Sequence, residues 1–134
     1  MKIAEVSERF VISADTLRYY ERIGLIPDVN RNKSGIRDYS KFDVKRVEFV
    51  KCMRSAGLPI EALIEYMGLV QRGDKTIEAR KGILKDQREL LAARMKEMQK
   101  TLDLLDHKIE VYENALLKKE QAMIQTEDQI PEIL

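Results

Sequence analysis

Residues 13–27 read SADTLRYYERIGLIP. Ser13 has the chemistry of a helix N-cap, since its hydroxyl can accept from first-turn amides. Asp15 places negative charge in the first turn, where the helix dipole favours it. Gly24 ends the helix after about Ile23, and Pro27 keeps it from resuming. Leu17, Tyr20 and Ile23 fall on one face, toward a core, whereas Thr16, Arg18, Tyr19 and Arg22 fall elsewhere. That second set has two readings. Arginines can bridge phosphates or guanine edges, and Tyr and Thr hydroxyls can donate to phosphate oxygens, as insertion into a major groove requires. Alternatively, Arg18 and Arg22 pair with Asp15 and Glu21 on a solvated face.

Upstream, Ile3, Val6 and Phe10 recur at helical spacing, so a short helix is expected over about residues 2–10. Val11 and Ile12 leave only a tight connection, which makes the pair a helix-turn-helix candidate. Downstream, Val29 and Arg31 on one side and Ile36, Arg37 and Tyr39 on the other flank the turn-rich NKSG. This predicts a small two-stranded hairpin, a wing carrying Arg31, Lys33 and Arg37. Ser40 and Asp43 have capping-box spacing and open a third helix that runs to about Ser55. Pro59, in a first-turn position, starts a fourth.

From about Thr76 to Lys118 there is no proline, and Gly82 is the only glycine. From Leu91 onward the positions Leu91, Met95, Met98, Leu102, Leu105, Ile109, Tyr112 and Leu116 keep a heptad seam without a miss. Lys81 and Arg88 break the seam at its start, so the tightest pairing is expected beyond them. Such a helix spans roughly 65 Å at 1.5 Å per residue. A seam of that length needs a second copy, and two-fold homodimers are the commonest solution.

The totals agree with this layout. The 134 residues are 35% charged, with no tryptophan. Residues 1–58 hold twelve Lys/Arg against eight Asp/Glu, net +4, and residues 59–134 hold twelve against fifteen, net −3. A basic front on an acidic scaffold points to a nucleic-acid partner. No apolar run approaches a membrane span, and MKIAEVSERF has no signal-peptide h-region, so a cytoplasmic protein is expected. One cysteine and one histidine, His107, argue against a metal site, and no cofactor motif or catalytic constellation is present. The rival to a DNA-binding protein is a coiled-coil module whose head binds another protein.

The string TLRYYERIGL, with GIRDY and GLPIEAL following in order, resembles the DNA-binding domain of the MerR family of bacterial transcription regulators. The resemblance covers about residues 2–71, and the long helix resembles the family's dimerisation helix. It implies an all-α chain with a small β-hairpin wing: a winged helix-turn-helix domain over 1–74, an antiparallel coiled-coil helix over 75–118, and a partly disordered tail over 119–134. It implies a homodimer that binds a promoter palindrome in double-stranded DNA and distorts an over-long spacer for RNA polymerase. Carried over by position, Thr16, Arg18 and Tyr19 contact DNA from the recognition helix, and Arg31, Lys33, Arg37 and Tyr39 from the wing.

The some 16 residues after position 118 are too few for the effector domain many relatives carry. Residues 76–134 lack the cysteines of the metal-sensing branch. Cys52 has two readings. On its own chemistry, beside Phe49, Met53 and Ala56, it is a small buried hydrophobe. The resemblance, in a short chain with a lone cysteine, implies a sensor thiol of the aldehyde- and thiol-stress branch, ending as an S-adduct or an intersubunit disulfide.

Overall fold

The computed structural model describes residues 1–122. Five α-helices form: α1 (Ile3–Phe10), α2 (Ala14–Arg22), α3 (Lys41–Ser55), α4 (Ile60–Gln71) and α5 (Ile77–Ala122). A 3₁₀ turn, Asp74–Thr76, precedes α5. Residues 123–134 of the expected tail lie outside the described residues, and its first four residues continue α5.

The amphipathic face of α1 buries Val6 and Phe10. The helix ends on Val11, which takes the left-handed conformation at φ 54° and is 86% exposed. A β-branched residue there is strained. The strain is offset by the tightness of the turn, in which the amides of Val11 and Ile12 both reach the Ser7 carbonyl. Two residues later Ser13 caps α2, accepting from the Thr16 amide at 3.1 Å. Gly24, at φ 79°, closes α2 in a Schellman motif. Its amide reaches the Glu21 carbonyl and the Leu25 amide the Tyr20 carbonyl. The motif drops Leu25 and Ile26 into the core, where both are buried.

The expected two-stranded hairpin is not formed: among the described residues there is no strand. Residues 30–38 are closed by one antiparallel bridge, Arg31 to Arg37, and by the Asp38 amide on the Asn30 carbonyl. The reason lies in Asn32, whose side-chain oxygen accepts from the amides of Ser34 and Ile36. A side chain that captures these amides turns the chain too early for a ladder to extend. The loop is anchored at both ends instead, by buried Val29 and Tyr39.

Ser40 and Asp43 form the reciprocal capping box of α3, at 3.1 and 2.8 Å. Val44, Val47 and Val50 of α3 join Leu17, Leu25, Leu63 and Met67 in a single core. Pro59 stands at the N-cap of α4, one place earlier than its expected first-turn position. Between α3 and α4 an open apolar groove of about 360 Å³ is lined by Phe42, Phe49, Tyr66 and Met67, with Lys45 and Arg46 beside them.

Two compact units result, Met1–Leu91 and one beginning at Ala92. In the second, the seam residues Met95, Met98, Leu102, Leu105, Ile109, Tyr112 and Leu116 are 50–68% exposed in the single chain. No helix among the described residues is long and apolar enough to cross a membrane.

Candidate nucleic-acid interface

The Ser13 cap and the buried Leu17 fix which side of α2 is outward. Arg18, Tyr19 and Arg22 are exposed on it. Arg18 is held by Asp15 at 2.8 Å in an exposed i,i+3 pair. The Arg22 guanidinium lies 5.3 Å from the Tyr19 ring centroid, a cation–π contact on the outer side of the helix. Thr16 is half-buried, and its hydroxyl accepts from Ser13 at 2.8 Å, so it extends the cap as well as facing outward. The three α2 residues singled out from sequence thus stand on one short helix. Arg22, left open by the sequence, shares its outer side.

On the loop, Arg31 is exposed and donates to the Gly35 carbonyl at 2.8 Å, while Lys33 is exposed at the tip. Arg37 is different. Its Nε donates to Glu21 Oε1 at 3.1 Å, and the two side chains are only 20% and 14% exposed. Glu21 therefore does not serve the neighbouring arginines of its own helix, as the solvated-face reading had it. It ties α2 to the loop. Sequence offers no signal for this pairing, because the partners are sixteen residues apart.

Tyr39 stands apart from the other wing residues. It was expected to touch DNA from the wing, but it is 2% exposed and belongs to the core. Its hydroxyl has no hydrogen-bond partner among the described residues. Burying the ring is what pins the loop's end. Burial pushes the phenol above its ordinary value of 10.0, and the Glu21 carboxylate adds to this while Arg37 works against it. The raised value means that folding favours the neutral phenol. That contribution is complete below pH 10, the ordinary value, and is lost as pH rises through the folded one. Tyr39→Phe removes a buried hydroxyl that makes no bond, so it is expected to raise stability by about 1 kcal/mol. It should also blunt the alkaline loss. Urea denaturation at neutral pH and above pH 10 checks both; a marked loss at neutral pH would show that the hydroxyl is needed.

Cys52 is exposed on α3 rather than buried. His107 is exposed on α5. Among the described residues no three His, Cys, Asp or Glu side chains gather as metal ligands.

A capped helix presenting arginines and a tyrosine, just after α1 and followed by a cationic loop, has the arrangement of a helix-turn-helix head. Residues 1–69 match the MerR HTH family regulatory protein model, and residues 44–108 match the model described as MerR, DNA binding. The chain belongs to the MerR family of helix-turn-helix regulatory proteins. It is 62% identical over 91 residues to the HTH-type transcriptional regulator AdhR of Bacillus subtilis (strain 168). That match takes in 68% of this chain and 65% of AdhR, just under two thirds of its length.

The fold is shared with a crystal structure described as a MerR family regulator of Listeria monocytogenes. The TM-score is 0.87 at 47% identity, covering 92% of this chain and 93% of that one. It is also shared with HiNmlR, a MerR family regulator lacking the sensor domain, bound to promoter DNA. There the TM-score is 0.77 at 29% identity, with 87% and 92% covered.

Proposed function

We propose that the chain is a cytoplasmic homodimer that binds a palindrome inside an over-long promoter spacer. It bends and untwists that spacer so that RNA polymerase engages both promoter elements. In this reading residues 1–74 are the reading head and residues 75–118 pair as an antiparallel coil. Thr16, Arg18 and Tyr19 enter the major groove, while Arg31, Lys33 and Arg37 hold the flanking backbone as a wing. The observation that carries it is the exposed Arg18–Tyr19–Arg22 side of α2. It occurs in a chain whose fold follows a promoter-bound relative over 87% of its length. The half-exposed seam of α5 supports the second copy, and so does the uncovered apolar groove of the head.

Cys52 completes the reading as the sensor thiol for aldehydes or other electrophiles. Its thiolate adds to the carbonyl carbon, the oxygen takes a proton, and an S-adduct forms without a leaving group. Its exposure on α3 supports this role.

The test is binding to a duplex carrying the promoter palindrome, at several salt concentrations, with a promoter-fused reporter alongside. Specific binding should weaken steeply with salt, as phosphate contacts require. Cys52→Ala should bind DNA like the parent and lose induction by aldehydes. A flat salt response or absence of a specific complex would sink the DNA reading. Normal induction in Cys52→Ala would remove the thiol from it.

A further inference from the structure

We propose that Glu21 is a positioning residue for DNA recognition: it holds Arg37 so that the loop's cation meets the backbone in fixed register with the recognition helix. The proposal rests on the reading of Arg37 as a backbone contact.

The loop is closed by one bridge and by turn hydrogen bonds around Asn32, with no strand among the described residues. Short paired segments of this kind are marginal in water. Its ends are pinned by Val29 and Tyr39, which leaves the exposed middle to be oriented by something else. Among the described residues, Arg37–Glu21 is the only ion pair joining α2 to the loop. At 3.1 Å and largely withdrawn from solvent, it is screened far less than a surface pair such as Arg18–Asp15. Geometry also lets Arg37 do two things at once. Glu21 takes only Nε, so the Nη hydrogens stay uncommitted among the described residues. A guanidinium is a rigid fork, and fixing Nε fixes the direction in which the Nη groups can meet a phosphate.

Glu21 is an acid among cations facing a polyanion. By charge alone it opposes binding; by position it orders a contact. Removing the charge therefore should not act like removing a cation. Glu21→Gln is expected to leave binding to random-sequence DNA unchanged or tighter. Affinity for the palindrome should fall about tenfold, the effect of removing one charge-assisted hydrogen bond to the backbone.

The full chain is footprinted with hydroxyl radicals on a duplex bearing its promoter palindrome. Glu21→Gln should lose protection of the flanking backbone and keep protection of the half-site centres. In an Arg37→Gln background it should change nothing further. Arg37→Lys, which keeps the charge without the fork, should likewise leave the flanks unprotected and cover the case in which Glu21→Gln folds poorly. Intact flanks in Glu21→Gln, or an equal further loss on top of Arg37→Gln, would overturn the proposal. So would a uniform loss of both footprints together with a lowered melting temperature, since that is a structural role. A parent chain with no flanking protection would overturn it together with the reading of Arg37 as a contact, while leaving α2 as a reading helix.

Discussion

Ile109→Asp is expected to abolish the dimer and, with it, binding to the full palindrome. Ile109 is 56% exposed in the single chain and lies between Leu105 and Tyr112 on the seam. In a paired coil that exposure would vanish, and with two-fold symmetry the substitution would enter the interface twice. A carboxylate buried among leucines without a partner costs several kcal/mol per copy, so the dimer constant should rise roughly a thousandfold or more. Each head should fold normally, because it is compact without the helix beyond Leu91.

The control is Leu104→Asp. Leu104 is just as exposed, at 55%, but one place off the seam. It should leave the dimer nearly intact. Sedimentation equilibrium reads the assembly, and gel shifts on one and two half-sites read its consequence. A dimer that survives Ile109→Asp, or that is equally damaged by Leu104→Asp, would mean that general apolarity and not the heptad register joins the copies.

The long helix was legible because its apolar spacing runs along one chain without a proline. The same holds for the caps: Ser13, Gly24 and the Ser40–Asp43 box act within a few residues of themselves and stand where their chemistry put them. What escaped depends on partners far away or on competition. Alternation around NKSG put Arg37 and Tyr39 on one strand, and the family resemblance implied a DNA contact for both. In the structure the Asn32 side chain wins the amides, the ladder stops at one bridge, and Tyr39 turns into the core. Glu21 looked like a local partner for its neighbours and is a long-range one. Cys52, beside Phe49 and Met53, had the setting of a buried thiol. Those two pack on the core, but the turn of α3 leaves Cys52 outside. Val11 could not be foreseen in a left-handed turn, since its type is among the least suited to it.

Leu17→Ala and Arg18→Ala, adjacent on α2, should fail in opposite ways. Leu17 is fully buried and packs α2 into the common core. Its truncation removes most of a buried side chain and leaves a cavity, costing about 3 kcal/mol. In a head of this size that lowers the melting temperature by roughly 10–20 °C. It should not touch the DNA-facing side chains themselves, so binding should be weak when warm and near normal in the cold. Arg18 is exposed and paired only with Asp15, so its removal should change stability by less than about 0.5 kcal/mol. Its effect belongs to the complex: affinity for the palindrome should fall roughly 10- to 100-fold at every temperature, with the salt slope reduced by about one. Thermal unfolding of the free proteins and salt titrations at two temperatures separate the cases. If Arg18→Ala binds like the parent, α2 does not read DNA through its arginine. If Leu17→Ala stays as weak in the cold, the helix loses more than its anchoring when the core is cut, and its outward side chains depend on Leu17 directly.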